Sequence, residues 1–172
     1  MTKNLLLFLL AAFVLLSCSK SNDNLREKLE AAVTKGEVGA KGYKTVQLAD
    51  LTDFDWDTVY YFNEQEDAKY ISDVVGFRWE GAAVPPQNKR LLFVKDGKVV
   101  SYVDYKYQDF PLFVYGCNED RWIFPRSRTN FATFKYCEQD SVVYQFIPVA
   151  CAENLRELMG HSCPDKEATA AK

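Results

Sequence analysis

Histidine is almost absent from this sequence, and the single one, His161, lies close to the C-terminus. Catalytic triads and many metal sites depend on imidazole side chains, so a sequence with one histidine offers little basis for either kind of site. The eight glycines form no phosphate-binding loop, and the five cysteines include no C-x-x-C pair of the zinc-binding type. The sequence therefore carries no catalytic signature, and it predicts no cofactor and no metal.

Excess positive charge and long hydrophobic runs are also missing. The formal net charge is −3, which gives no general attraction to nucleic acid, so nucleic acid is not a predicted partner. The apolar run over residues 5–16 has twelve residues, fewer than the roughly 20 that a spanning helix needs. A short apolar run after a basic residue, here Lys3, is typical of an export signal.

The end of this run, Leu15-Leu16-Ser17-Cys18, resembles the lipobox of bacterial type II signal peptides. In that motif a cysteine after a small residue is lipid-modified and becomes the new N-terminus. The resemblance implies that residues 1–17 are removed, that Cys18 carries the lipid, and that residues 18–24 form a flexible tether in the cell envelope. Ser19 in the next position favours the outer membrane. The alternative is an ordinary signal peptide or a short membrane helix in which Cys18 is incidental.

The remaining four cysteines all lie in the last third of the chain: Cys117, Cys137, Cys151 and Cys163. Exported proteins keep disulfides, whereas cytosolic proteins rarely do, so an even number of cysteines agrees with export. Three pairings are open. A hairpin whose turn centres on Ser127 would place Cys117 opposite Cys137 and leave Cys151 to pair with Cys163. A zinc site is the alternative use of these cysteines.

The hydrophobic pattern predicts an α+β fold, a single domain over residues 25–163 with a mainly antiparallel sheet and two or three packed helices. Tyrosine and phenylalanine favour strands, and aromatic residues make up 15% of the chain. Helices are expected over residues 25–35, capped by Asn24, from Asn63 to a stop at Gly76, and over residues 152–159. Strands are expected near residues 45–49, 59–62, 112–115, 121–124, 131–137 and 142–147. Residues 164–172 are predicted to form a flexible tail.

Asp96-Gly97 is the strongest turn signal, because both positions of a type I′ hairpin turn need positive φ. The expected register pairs Val94 with Val99, Phe93 with Val100 and Leu91 with Tyr102. Both faces of this hairpin are apolar, which predicts a central position in the sheet.

Three blocks between residues 54 and 105 resemble a group of small bacterial lipoproteins to which no activity is assigned. The blocks are F-D-W-D-x-V-Y from Phe54, the sequence Gly76-Phe77-Arg78-Trp79, and Leu-Leu-Phe-Val-Lys running into Val-Val-Ser-Tyr-Val over residues 91–103. The resemblance implies a lipoprotein with an α+β fold, and it implies no activity.

Acids and aromatics alternate in Asp53-Phe54-Asp55-Trp56-Asp57. In an extended segment this alternation would send Phe54 and Trp56 into the core and the aspartates to solvent. The alternative is that these acids form a calcium-binding loop. Asp53, Asp55, Asp57 and Glu64 fall at positions 1, 3, 5 and 12 of an EF-hand-like loop. Thr58 stands where that loop needs glycine, and a strand is expected where it would coil round the ion.

Charge is unevenly distributed: residues 50–67 contain seven acidic and no basic side chains, and residues 121–136 contain four basic and no acidic ones. Such patches are often only solvated faces, but two opposed patches can also face partners or each other. The predicted interaction residues are Asp53, Asp55, Asp57, Trp122, Arg126 and Arg128.

The sequence has a lipobox-like segment and no catalytic signature. Together these features predict a lipid-anchored envelope protein that acts by binding. Its expected partners are the membrane, through the N-terminal lipid, and an unidentified envelope protein or glycan. The alternative is a carbohydrate-binding or carbohydrate-processing lipoprotein. Burial of Trp56, Trp79 and Trp122 would favour a plain interaction domain, whereas an aromatic-lined cleft beside carboxylates would favour sugar.

Overall fold

The computed structural model describes residues 20–117, 122–138 and 141–151. Within these ranges it contains three helices and eight strands. The helices are α1 (Asp23–Thr34), α2 (Leu48–Leu51) and α3 (Ala68–Val75). The strands are β1 (Lys44–Gln47), β2 (Thr58–Phe62), β3 (Asn88–Lys95), β4 (Lys98–Lys106), β5 (Leu112–Val114), β6 (Ile123–Pro125), β7 (Asn130–Glu138) and β8 (Ser141–Pro148). Among the described helices, none is long and apolar enough to cross a membrane.

The strands form two four-stranded sheets. The first has the order β4-β3-β2-β6 and is antiparallel throughout, and the second has the order β1-β7-β8-β5. In the second sheet β5 runs parallel to β8, whereas further antiparallel strands were predicted for this part of the chain. Apolar residues of both sheets and of α1 share the main core, so the predicted α+β class is confirmed.

The chain crosses from the first sheet to the second through a 3₁₀ turn, Arg126–Arg128. This turn follows β6, which pairs with β2, and precedes β7, which pairs with β1 and β8. The hairpin predicted here is therefore wrong, because its two strands belong to different sheets. Thr129 closes the crossing: it is fully buried, and its hydroxyl donates to the Arg126 carbonyl at 2.7 Å.

Polar caps set the ends of the two longer helices. Asn22 caps α1 by accepting from the Leu25 amide at 3.0 Å, so the helix begins two residues earlier than predicted. Asp67 caps α3, and Gly76 ends it at φ +82°, as the sequence indicated. The predicted start at Asn63 is wrong, because residue 65 takes a positive φ that interrupts the helix.

The β3–β4 hairpin has the predicted type I′ character, with φ of +48° at Asp96 and +68° at Gly97. Val94 pairs with Val99 as expected, but a bulge follows, so the expected Phe93–Val100 and Leu91–Tyr102 pairs are wrong. An extra residue in one strand shifts every later pair, and this shift is not encoded in the turn. The second strand of this hairpin, β4, also lies at the edge of the sheet rather than in its centre.

The outer edge of β4 is occupied by the start of the described chain. The Asn22 amide donates to the Tyr102 carbonyl at 2.8 Å, and the Asp104 amide donates to the Ser21 hydroxyl at 2.9 Å. Attachment to the domain thus begins at Ser21, within the stretch that the sequence predicted as a flexible tether.

A disulfide joins Cys117 to Cys151, with the two Cα atoms 5.5 Å apart. The predicted pairs, Cys117 with Cys137 and Cys151 with Cys163, are therefore wrong. Because β5 and β8 run parallel, their C-terminal ends lie at the same end of the sheet, and Cys117 and Cys151 follow those ends. Cys137 is also disulfide-bonded, and its partner lies outside the described residues, as do Cys18, Cys163 and the predicted helix over 152–159.

Peptide mapping without reduction is expected to recover a Cys117–Cys151 peptide and no free Cys137. Replacing Cys117 and Cys151 together by serine is expected to lower the free energy of unfolding by about 2–4 kcal/mol, since the link restricts the unfolded chain. Urea denaturation measures this loss. Recovery of a Cys117–Cys137 peptide from the folded protein would contradict the arrangement.

Candidate functional site

The acidic segment before β2 has the alternating burial that its sequence predicts, although it is not a strand. Trp56 is 1% exposed, Phe54 is partly buried against the main core, and the three aspartates around them are exposed. The Trp56 indole donates to the Thr52 hydroxyl at 3.0 Å, and its ring meets Phe93 edge-on at 5.2 Å. Trp56 and Phe54 are therefore core anchors.

The acidic and basic patches meet each other. An Asp55 oxygen lies 3.3 Å from Lys95 Nζ, and the other lies 3.8 Å from Arg126 Nη1. The Arg126 guanidinium also lies over the Trp56 ring at 5.2 Å, so this arginine belongs to the crossing between the sheets rather than to an exposed loop tip. Arg128 is exposed, and one of its nitrogens lies 3.9 Å from Cys117 Sγ.

The four acids of the EF-hand-like pattern are used separately. Asp53 lies 3.8 Å from Lys28, Asp57 accepts from the Asp96 amide at 3.0 Å, and Glu64 accepts from the Gln87 amide at 2.6 Å. In the described segments no three His, Cys, Asp or Glu side chains come together as a metal site would require.

Calcium at millimolar concentration is expected to leave the melting temperature unchanged. Replacing both Asp53 and Asp55 by asparagine is expected to change the free energy of unfolding by less than about 1 kcal/mol, because exposed ion pairs contribute little. Thermal melts of both proteins, with calcium and with chelator, measure this. A calcium-dependent rise in the wild type that the double variant lacks would instead establish the calcium site.

An open groove lies between β2, α3 and the start of β6, with a volume of ≈ 520 Å³. This size falls within the range of small-ligand pockets, roughly 300–1,000 Å³. Aromatic rings make up much of its lining, and two carboxylates lie among them. The lining residues are Tyr60, Tyr61, Phe62, Asn63, Glu66, Tyr70, Asp73, Val74, Trp122 and Ile123.

Trp122 is the predicted interaction residue that the structure places in this groove. Its side chain is 43% exposed, yet the indole N–H donates to the Val114 carbonyl at 3.0 Å, which fixes the ring. Its backbone has φ +58°, in the left-handed region that non-glycine residues rarely adopt, and its carbonyl accepts from the Tyr61 amide at 3.0 Å. Strained backbone of this kind is concentrated at functional sites.

Tyrosines on β2 and α3 supply further rings. The Tyr60 and Phe62 rings are nearly parallel, 12° apart in orientation with centroids 6.3 Å apart, as neighbours on one face of a strand. Phe62 is buried and meets Tyr70 edge-on at 6.5 Å, while Tyr70 is 50% exposed. Burial raises the pKa of the Tyr60 phenol above its ordinary value.

The two carboxylates of the groove already have partners. Glu66 accepts from the Asn63 amide at 2.8 Å, and Asp73 lies 2.8 Å from Lys69 Nζ. Partial burial raises the pKa of Glu66, while the Asn63 hydrogen bond and nearby Lys89 act in the opposite direction.

Sequence reasoning identified Trp122 but missed the tyrosines and Glu66. Tyr70 carried a signal: it lies on a helix but outside the buried stripe, which leaves an aromatic ring on the solvent side. Glu66 follows Asn63 by three residues, the spacing of a helix capping box, and its contact with Asn63 does form, but in a turn before the helix.

A second, smaller groove of ≈ 380 Å³ is lined by Glu64, Gln87, Lys89, Tyr107, Gln108 and Phe113. Much of its polar lining is engaged internally. Lys89 Nζ donates to the Asn63 side chain at 3.0 Å and lies 5.8 Å from the Tyr107 ring centroid. The groove at Trp122 is larger and contains two exposed aromatic residues, Tyr70 and Trp122, so it is the stronger candidate site.

Comparison with known proteins identifies no relative: no protein-family model, no curated protein and no solved structure matches this chain.

Proposed function

We propose that this chain is a lipid-anchored protein of the bacterial cell envelope that acts by binding, and that the groove at Trp122 is its ligand site. The main support for this site is the position of Trp122. A tryptophan ring that is nearly half exposed, hydrogen-bonded in place and set on strained backbone presents a pre-oriented apolar surface to solvent. Pre-orientation lowers the entropy lost when a ligand binds, because the ring needs no further ordering.

The arrangement of polar groups supports binding rather than catalysis. A general acid or base needs a side chain that can reach the reacting proton, with a pKa matched to the task. Glu66 and Asp73 are instead engaged by the Asn63 amide and by Lys69. In these roles they supply hydrogen-bond acceptors at the rim of an aromatic surface, which is the usual composition of a ligand pocket.

The proposed anchor rests on the lipobox-like segment ending at Cys18, and attachment at Ser21 gives it a structural consequence. Only Ser19 and Lys20 separate Cys18 from the first residue bonded to β4. At no more than about 3.6 Å per residue, the lipid would lie within roughly 11 Å of Ser21. A lipid on Cys18 would therefore hold the β4 edge close to the membrane.

Labelled palmitate is expected to enter the wild-type protein in bacteria and not the Cys18→Ala variant. The wild type should then partition with membranes, whereas the variant should not. A Cys18→Ala protein that still takes up label, or a wild type without label, would contradict the anchor.

The groove is tested by a photo-crosslinking amino acid in place of Tyr70, in cells. We expect adducts from this position that disappear when Trp122→Ala is added. The matched control carries the same amino acid at Val142, which is exposed on β8 of the other sheet. Equal adducts from both positions, or adducts that survive Trp122→Ala, would contradict a ligand site in the groove.

A further inference from the structure

We infer that the groove binds a neutral oligosaccharide of pyranose rings, an inference that rests on the proposed binding function. Such a ligand has two kinds of surface: apolar C–H faces and a rim of hydroxyl groups. The groove has a complement for each, since exposed aromatic rings form its walls and partnered carboxylates lie beside them.

Three aromatic side chains of the lining offer apolar ring surface to a ligand. The indole N–H of Trp122 is already bonded to Val114, so the exposed part of this side chain contributes its apolar surface. Tyr70, 50% exposed, supplies a second ring, and half-buried Tyr60 a third. Aromatic faces carry negative partial charge and attract the weakly positive hydrogens of C–H groups, so they suit the flat face of a pyranose ring.

The charges around the groove favour a neutral ligand over a cation. Aromatic rings beside free carboxylates would suit an ammonium group. Here Lys69 Nζ lies 2.8 Å from Asp73, and Lys89 Nζ donates at 3.0 Å to the side chain of Asn63, whose amide bonds Glu66, so a lysine lies near each carboxylate of the described lining. A carboxylate has about four lone-pair sites, so each retains acceptor capacity for a ligand hydroxyl.

The test is calorimetry on the full mature protein in detergent, with cello-, chito- and malto-oligosaccharides as probes. We expect the wild type to bind at least one of these neutral probes. Trp122→Ala should weaken that affinity about tenfold or more, as loss of an aromatic anchor does in other interfaces. Trp122→Phe should recover only part of it, because phenylalanine keeps an aromatic ring but lacks the N–H that bonds Val114. Tyr70→Ala, which removes a second ring of the lining, should also weaken binding.

Val100→Ala is the matched control, because Val100 and Trp122 are equally exposed at 43% and Val100 lies on β4, at the opposite edge of the same sheet. Its affinity should equal that of the wild type. The inference is overturned if the wild type binds none of the probes, or if Trp122→Ala and Tyr70→Ala bind like the wild type.

Choline and spermine serve as cationic probes. Binding of these amines in place of the saccharides would overturn the ligand class while leaving the proposed binding function intact. If the photo-crosslinker at Tyr70 gives no adducts while Trp122 is intact, or gives no more than the Val142 control, the binding function itself fails, so the two failures are distinguishable.

Discussion

Replacing Arg90 by alanine is expected to lower the free energy of unfolding by about 3–5 kcal/mol, because it leaves an uncompensated charge in a buried site. Arg90 is 1% exposed and Asp104, its partner on the next strand, is 11% exposed. The guanidinium donates two parallel hydrogen bonds to the Asp104 carboxylate, at 2.6 and 2.8 Å. Its remaining donors reach the carbonyls of Ala82 at 2.7 Å and Ala83 at 3.4 Å, and the group lies 4.4 Å from the Tyr102 ring.

Urea denaturation of three variants checks this expectation. Arg90→Ala and Asp104→Ala should each be strongly destabilised. The double variant Arg90→Met with Asp104→Leu should be more stable than either single variant, because it removes both charges and keeps apolar volume. If the double variant loses as much stability as the two single variants combined, charge burial is not the cause of the loss.

The same arginine holds the loop between α3 and β3, which has no regular structure over residues 81–87. Trp79 packs edge-on against Tyr102 beneath this loop, with ring centroids 5.9 Å apart. A β-carbon on Gly81 would approach the Trp79 ring to 1.8 Å, so the loop tolerates only glycine there. The first proteolytic cuts in the Arg90→Ala variant should therefore fall within this loop. General destabilisation alone would instead spread the first cuts over the chain.

Replacing Trp56 by alanine is the second change with a large expected effect. It should lower the free energy of unfolding by about 3–5 kcal/mol, because it removes a buried side chain and leaves a cavity. The ring contacts Phe93 in the main core, donates to Thr52 and lies under the Arg126 guanidinium. Removing it therefore weakens the packing between the acidic segment and the crossing that joins the two sheets.

Trp122→Ala provides the matched comparison for Trp56→Ala. The chemical change is identical, but Trp122 is 43% exposed, so its loss should lower the free energy of unfolding by only about 1–2 kcal/mol, in part through the hydrogen bond to Val114. Denaturant melts of both variants measure the difference. A loss at Trp122 equal to that at Trp56 would show that Trp122 stabilises the fold rather than presenting a surface.

Sequence alone was sufficient where the cause is local. Asp96-Gly97 predicted a type I′ turn because its φ angles belong to the two residues themselves, and Gly76 predicted the end of α3 for the same reason. The alternation around Trp56 predicted which side chains would be buried, although the segment is not a strand. Composition and periodicity were enough for the α+β class.

The tertiary structure decided what depends on residues distant in sequence. Whether β6 and β7 form a hairpin or enter different sheets depends on which strands they pair with. The parallel pairing of β5 with β8 likewise brings Cys117 and Cys151 together. The groove forms where Tyr60 on β2, Tyr70 on α3 and Trp122 in the turn before β6 come together. Local propensity has no access to such contacts, because their energy arises only when the elements pack against one another.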